Sequence, residues 1–373
     1  MSLSCDPWVG FEGHEEVLVA QDEDTGLRAV IAIHSTVLGP ALGGVRMSTY
    51  AHAGDATSAN AAAYADALRL SRAMTYKNAL AGLPHGGGKA VIVHDPDRKT
   101  AALLHAFGRM VCSLDGRYVT AGDVGMTVAD MDTIGEACRW TTGRSVERGG
   151  VGDSGVLTAV GVHAGMRAGA EAAFGSADLA GLTVGVVGAG KVGGRLIGHL
   201  LADGAAVVAL DPSAVVREHI DALHPGQVAW VEDLASLLAS EPDVLSPNAM
   251  GGLITADVAT SLSERGVRLV CGGANNQLAE PDVGDLLAET GVLYAPDFCV
   301  NCGGVVQVAE ELVGADVERA RATVERVFDT TRSVLERARH EGIPPVRAAE
   351  REAEARIAAQ REAKAGGTTA RGR

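Results

Sequence analysis

Residues 183–211 read TVGVVGAGKVGGRLIGHLLADGAAVVALD, a strand, a glycine loop, a helix and a second strand in succession. Thr183–Val187 is a short β-branched run of the kind that forms a buried strand. Gly188-Ala189-Gly190-Lys191-Val192-Gly193 follows it. Gly188 permits a tight turn, Gly190 lets backbone approach a pyrophosphate, and Gly193 lets helix and strand pack closely. The helix start offers free N–H groups and a positive dipole end to phosphates, so Lys191 and Val192 count in the same cofactor-binding loop. Asp211 ends the second strand about 20 residues on, where a carboxylate accepts hydrogen bonds from ribose hydroxyls. It would also repel a 2′-phosphate, so the expected cofactor is NAD rather than NADP.

Working outward, short strand patterns recur at 244–247, 267–273 and 292–296. This is the βαβ rhythm of a doubly wound parallel sheet, expected over 151–329. The glycine cluster GGVGDSG at 149–155 marks a boundary, with a helix over 156–174 behind it. Upstream, strands are expected at 15–20 and 27–34 around a turn at Asp24-Thr25-Gly26, a helix at 55–73 and a strand at 89–94. A helix at 100–114 and a strand at Val119–Ala121 complete this part. Residues 1–150 therefore form a separate α/β substrate-binding and oligomerisation domain, with a cleft between it and the second. The chain turns helical from about 303, and helices over 330–365 are expected to complete the first domain. Residues 366–373 are expected to be a disordered tail.

Composition narrows the function. The chain has 373 residues, 47 % of them hydrophobic and only 3 % aromatic, which fits an aliphatic core of helices on a sheet. A net charge of -15 makes a nucleic-acid partner a poor default. No uncharged apolar run reaches the roughly 18 residues of a membrane span. The opening MSLSCDPWVGFEGHEE lacks a signal-peptide pattern, and the 6 cysteines are scattered as free thiols would be. A cytoplasmic location is inferred. Cys299 and Cys302 are spaced as CxxC but have no second pair or histidine cluster, so core packing is expected and no metal.

Three segments of the first domain put glycine beside charge: LGPALGGVR at 38–46, MTYKNALAGLPHGGGK at 74–89 and TAGDVGM at 120–126. Lysine usually sits in solvent. Lys89, however, opens the apolar run AVIV after three glycines, where partial desolvation favours a neutral amine fit to act as a base. Asp123 reads either as a turn former or as a catalytic carboxylate. Residue type alone does not choose.

These segments resemble the glutamate/leucine/phenylalanine/valine dehydrogenase family. Leu83-Pro84-His85-Gly86-Gly87-Gly88-Lys89 with Asp95-Pro96 downstream is similar to its active-site signature. The likeness runs in order through MTYKNALAG, GDVG, GDSGVLTAVGV, GAGKVG, CGGANNQLA and YAPDFCVNCGGVVQVAEE. IAIHSTVLGPALGG at 31–44 and the late Ile343-Pro344-Pro345 look most like the branch that oxidises valine in actinobacteria. The resemblance implies that Lys89 activates water and that Lys77 pairs with the substrate carboxylate. It also implies that Asp123 exchanges protons with the substrate nitrogen, and that Gly43 and Gly44 lie against the substrate. Thr158 and Asn275 would stand near the nicotinamide carboxamide.

The family's side-chain pocket maps onto Leu42, Ala121, Val305 and Val308, all apolar. Burying a glutamate side-chain carboxylate against them would cost several kcal/mol, so an apolar substrate is implied. Ala121, where phenylalanine enzymes commonly have glycine, favours an aliphatic one. The implied activity is NAD-dependent oxidative deamination of valine or leucine to the 2-oxo acid and ammonia, by a homo-oligomer. A phenylalanine dehydrogenase and a non-catalytic NAD-binding relative are the alternatives. Pro84, Gly122, Asn248-Ala249-Met250 and the cysteines at 299 and 302 depart from the family's usual residues.

Overall fold

The structure, a computed structural model, describes residue 11 and residues 13–369. Their contacts group into two units. One runs to Gly152 and takes up Gln307–Val317 and the chain from Ala353 on; the other holds Asp153–Val306 and Glu318–Glu352.

The first unit opens with a hairpin, β1 (Glu16–Asp22) and β2 (Leu27–Ser35). Asp22 accepts the Asp24 and Thr25 N–H groups at its turn, and Gly26 takes the positive φ that the turn needs. Next come β3 (Ala41–Ser48), α1 (Ala56–Leu80), β4 (Gly86–Val93), α2 (Ala101–Cys112), β5 (Tyr118–Gly122) and α3 (Val128–Ala137). Asp55, Thr100 and Thr127 cap the three helices, so each begins where a side-chain oxygen can take a free N–H. The sheet order is β1-β2-β4-β3-β5, with β3, β4 and β5 mutually parallel and β2 antiparallel to both β1 and β4. On one face Ile31, Ile33, Val45, Met47, Phe107 and Ile134 pack with the Tyr118 ring. On the other, Ala59, Ala63 and Ala67 bring α1 close to Val30, Ala32 and Val91.

Two local expectations change here. The pattern at 38–46 suggests no regular element, whereas Ala41–Ser48 is a strand inside the sheet, between β4 and β5. The expected helix at 55–73 runs on to Leu80, and the glycines at 86–88 lie inside β4 rather than before it.

The second unit begins with α4 (Gly155–Phe174), β6 (Thr183–Val187), α5 (Gly193–Ala202), β7 (Ala206–Leu210), α6 (Ala214–Leu223) and β8 (Val228–Val231). It continues through α7 (Leu234–Ala239), β9 (Val244–Pro247), α8 (Ala256–Glu264), β10 (Leu269–Val270), α9 (Val283–Glu289), β11 (Leu293–Tyr294) and α10 (Asp297–Val300). The six strands are parallel, in the order β11-β10-β9-β6-β7-β8. The direction of winding reverses between β6 and β9, and ligands of such sheets bind at the carboxyl ends of strands beside that reversal.

The chain ends in α11 (Gly303–Glu311), α12 (Val317–Glu325), α13 (Val327–Glu341) and α14 (Pro345–Thr369). Here the division differs from the expected 330–365 return to the first domain. Helix α13 belongs to the second unit because α4 offers it a small-residue face. A Cβ on Gly165 would lie 3.4 Å from the Thr331 hydroxyl of α13. The chain joins the first unit at 307–317, where Glu311 accepts the Gly143 N–H at 2.7 Å and Gln307 donates to the Val151 and Gly152 carbonyls. It joins again from Ala353, where Glu354 accepts from the Tyr76 hydroxyl and Arg356 donates to the Ala79 and Leu83 carbonyls. The Arg/Glu-rich end is thus more than the solvated face its composition suggests. The tail expected at 366–373 is helical through Thr369, and 370–373 lie outside the described residues. Among the described residues no helix is long and apolar enough to cross a membrane.

Candidate functional site

Three parallel strands position the charged groups of the first unit. The β4 strand carries Lys89, 6 % exposed, and Asp123 follows directly on the end of β5. Lys89 Nζ donates to Asp123 Oδ2 at 2.6 Å. Between them runs β3, whose Gly44 stands opposite Ala121. A Cβ on Gly44 would lie 2.9 Å from the Asp123 Cβ, so glycine is what lets the carboxylate cross this strand. A Cβ on Gly43 would lie 1.8 Å from the Gly88 carbonyl oxygen. The Tyr118 hydroxyl donates to the Gly43 carbonyl at 2.8 Å. Gly43 and Gly44 thus have packing duties whether or not they touch a ligand.

The same Asp123 oxygen accepts Arg46 Nε at 3.2 Å, a partner the sequence reading passed over. Burial works to raise the Asp123 carboxyl, but the Lys89 ammonium and Arg46 guanidinium outweigh it and hold the group down at about 2. Asp123 is therefore an anion across the neutral range. That suits it to steady a cation more directly than to act as a free acid. Its loop is pinned from below, because Lys99 donates to the Gly125 carbonyl at 2.9 Å and the Met47 N–H reaches the Val124 carbonyl.

Lys77 lies half-buried on α1. One residue on, Asn78 donates to the Leu42 and Gly86 carbonyls at 3.1 and 2.6 Å, which ties this turn of helix to β3 and β4. Of the four apolar residues expected to meet a substrate side chain, Leu42 and Ala121 are buried in the first unit, Val308 is half-buried there, and Val305 is buried in the second. His85 is buried with its ring nitrogen 3.2 Å from the Pro40 carbonyl, and burial lowers its pKa. It serves the turn ahead of β4.

In the second unit the glycine loop fits a dinucleotide. Gly188 adopts φ +91°, where a Cβ would press on Ala249 at 2.7 Å. A Cβ on Gly193 would strike the Gly188 carbonyl at 1.9 Å. A Cβ on the exposed Gly190 would meet nothing within 4 Å, so this glycine keeps space open rather than avoiding a neighbour. A pyrophosphate drawn to the α5 start needs such an opening. Lys191 is exposed and Val192 half-buried on the same turn.

Asp211, at the end of β7, is 9 % exposed. Its carboxylate accepts the Ala189 N–H of the glycine loop at 2.8 Å and the Ser213 N–H at 2.9 Å. The residue read as a ribose acceptor is thus also a strut of the phosphate loop. Asp211→Ala is accordingly expected to weaken NADH binding about ten-fold or more while narrowing the preference over NADPH, since each freed donor costs about 1–3 kcal/mol if unsatisfied. Fluorescence titration with both reduced cofactors checks this. Unchanged NADH affinity would remove the strut.

Thr158 and Asn275 differ in setting. Thr158 is buried in α4, its hydroxyl donating to the Ser154 carbonyl at 2.9 Å. Asn275 is exposed on the loop after β10 and accepts from Asn301 Nδ2 at 2.9 Å. That loop is held firmly. Gln277 donates to the Gly272 and Ala274 carbonyls, and Asn248 accepts the Gly273 N–H at 2.9 Å. The departure at Asn248 thereby acquires a purpose, holding this loop at the carboxyl edge of the sheet. Cys299 and Cys302 are both 1 % exposed, and burial pushes the Cys299 thiol up to about 12, so it is an inert filler.

Comparison with known proteins places these features. A family model described as Glu/Leu/Phe/Val dehydrogenase, dimerisation domain, matches residues 14–140, and one described as Glutamate/Leucine/Phenylalanine/Valine dehydrogenase matches 213–365. The chain is 52 % identical over 350 residues to a valine dehydrogenase of Streptomyces coelicolor, covering 94 % of this chain and 93 % of that protein. It is 44 % identical over 353 residues to a leucine dehydrogenase of Geobacillus stearothermophilus, covering 94 % and 92 %. Among solved structures, L-tryptophan dehydrogenase from Nostoc punctiforme superposes with a TM-score of 0.79 at 35 % identity, over 93 % of this chain and 97 % of that one.

Proposed function

The chain belongs to the glutamate/leucine/phenylalanine/valine dehydrogenase family, and on that premise we propose that it carries out the NAD-dependent, reversible oxidative deamination of valine or leucine. The products are the 2-oxo acid, ammonia and NADH. The observation that carries this reading is the ion pair of the buried Lys89 on β4 with Asp123 at the end of β5, beside the apolar Leu42 and Ala121. A homo-oligomer acting in the cytoplasm completes the proposal.

Each residue has a duty suited to its chemistry. Lys77 holds the substrate α-carboxylate, which fixes Cα in place. Bound NAD supplies the hydride acceptor. The glycine loop at 188–193 and Asp211 bind that cofactor, with Thr158 and Asn275 assigned to its carboxamide end. Asp123, anionic above about pH 2, stabilises the positive charge that grows on the substrate nitrogen as the iminium forms. Lys89 takes up a proton from water as the water adds to the iminium carbon. Collapse of the resulting carbinolamine expels ammonia and leaves the 2-oxo acid.

Leu42, Ala121, Val305 and Val308 provide no partner for a side-chain carboxylate, so glutamate is excluded by desolvation. Valine and leucine differ by one methylene, worth only about 1–3 kcal/mol. A substrate panel of valine, leucine, phenylalanine, tryptophan and glutamate, run with NAD and NADP and followed by NADH absorbance, tests the reading. Valine and leucine with NAD are expected to exceed the aromatic substrates in kcat/KM by about ten-fold or more. A preference for phenylalanine would overturn the branched-chain assignment. Silence with every amino acid would overturn the enzyme.

A further inference from the structure

The ion pair at Asp123 does not stop at Lys89. Arg46 projects from β3 and places Nε on Asp123 Oδ2 and Nη1 on Asp66 Oδ2, at 3.2 and 2.8 Å. Asp66 comes from α1 and is held in turn. The Tyr50 hydroxyl donates to its Oδ2 at 2.7 Å, and Arg69 donates to its Oδ1 at 2.6 Å. The Asp66 side chain is only 10 % exposed. Charges therefore alternate along one line: Lys89, Asp123, Arg46, Asp66, Arg69.

The backbone gives separate support. Tyr50 is buried and takes φ 52°, the left-handed region, which is costly for a bulky side chain. Strain of this kind persists where the surroundings over-determine it. Here it delivers the phenol to Asp66. A guanidinium can bridge two carboxylates with separate N–H groups in fixed geometry, which a lysine ammonium cannot do equally well.

We infer that Arg46 is a positioning residue for the deamination, buttressed by Asp66, Tyr50 and Arg69, which fixes the Asp123 carboxylate and shares it with Lys89. The inference rests on the role proposed above for Asp123. Without Arg46 the carboxylate has one anchor fewer and keeps only Lys89 and the Val124 N–H of the partners that hold it down. Turnover then falls because the carboxylate is misplaced and Lys89 is held more tightly as its counter-ion. Substrate affinity, which belongs to Lys77, stays nearly constant.

The groups facing Asp123 are Lys89 from β4, Arg46 from β3 and the buried Tyr118 phenol from β5, so the change in pH behaviour has a definite sign. Losing Arg46 removes a cation that competes with Lys89 for the same oxygen. The rising limb of kcat/KM against pH therefore moves to higher pH. A pocket of about 510 Å³ beside Arg46, Tyr50, Asp66 and Arg69 makes a further readout possible, because added guanidinium ion has a way in.

The experiment is steady-state kinetics of Arg46→Ala, Arg46→Lys, Asp66→Asn and Asp123→Asn with valine and NAD, with thermal melts to establish folding. Arg46→Ala is expected to lower kcat by about 10–100-fold with KM within about two-fold, to shift the rising limb upward, and to recover about ten-fold on addition of guanidinium. Arg46→Lys and Asp66→Asn are expected to show smaller losses of the same sign, and carry the test if the alanine variant does not fold. Unchanged kcat in folded Arg46→Ala, or a loss with neither guanidinium recovery nor a shifted limb, overturns the positioning role. If that happens while Asp123→Asn is inactive, only the Arg46 inference falls. A fully active Asp123→Asn instead removes the reading beneath it.

Discussion

Replacing Lys89 by alanine is expected to lower kcat for valine deamination by about 10³-fold or more while leaving NADH affinity within about two-fold. The loss is large because neither of the charged groups proposed for the site can replace Lys89 as the general base at the water-addition step. On the proposed reading Lys77 holds the substrate carboxylate, and Asp123, held at about 2, is too weak a base near neutrality. The fold is expected to survive. Lys89 lies in β4, where alanine is compatible with the ladder to β2 and β3. Asp123 is not orphaned either, since Arg46 remains on the same oxygen at 3.2 Å. NADH affinity is the internal control, because the glycine loop and Asp211 belong to the second unit. Stopped-flow turnover paired with NADH fluorescence titration makes the measurement. Substantial residual deamination would take lysine out of the mechanism; a matching loss of NADH binding would turn the effect into a structural one.

Why Lys89 stands out in the sequence, Asp123 only through the family resemblance, and Arg46 not at all, is a matter of which information is local. The glycine loop at 188–193 is legible because strand, turn, helix and acid all fall within one continuous stretch of residues. Lys89 is legible because three glycines and an apolar run surround it. Arg46 closes the segment LGPALGGVR, but its meaning depends on β3 lying between β4 and β5, so that Val45 pairs with Ala90 on one side and Gly122 on the other. Gly43 and Gly44 hide that strand in the sequence, although they are the residues that let it lie close between β4 and β5. Asp66 is one acid among many on an amphipathic helix until its partner is placed. Helix α13 failed differently: its own stripe of Val327, Val334 and Leu335 says that it is buried, but not against which neighbour. The answer was written in the glycines of α4. The expected ribose role of Asp211 misses its hold on Ala189 for a similar reason, since that hydrogen bond joins the ends of two strands.

Gly87→Ala is expected to destabilise the first unit by about 4 kcal/mol or more, against a change within about 0.5 kcal/mol for Gly190→Ala, although both remove a glycine from a site motif. The contrast follows from what each Cβ would meet. At Gly87 it would lie 2.1 Å from the Thr75 backbone nitrogen, 2.2 Å from its hydroxyl and 2.5 Å from its Cα. None of these atoms is the end of a flexible side chain. Thr75 is 0 % exposed, its hydroxyl is 2.8 Å from the His34 ring nitrogen, and it lies on the long α1 helix. Relief therefore requires α1 to lift from β4. Lifting it breaks both hydrogen bonds from Asn78 to the Leu42 and Gly86 carbonyls. It also moves Lys77 relative to Lys89, so whatever protein remains folded is expected to lose activity as well. The flanking glycines are equally crowded by other neighbours, Gly86 by the Ser35 carbonyl at 1.8 Å and Gly88 by the Tyr118 ring at 2.6 Å. Three successive glycines thus hold a helix and an aromatic ring tightly against one strand, which places the adjacent lysine. At Gly190 a methyl group enters open space, so the melt is unchanged and only the cofactor suffers. Urea denaturation of both variants, with NADH titration of the second, separates the two kinds of glycine. A Gly87→Ala protein as stable as the parent would mean that α1 does not seat on β4 as closely as drawn.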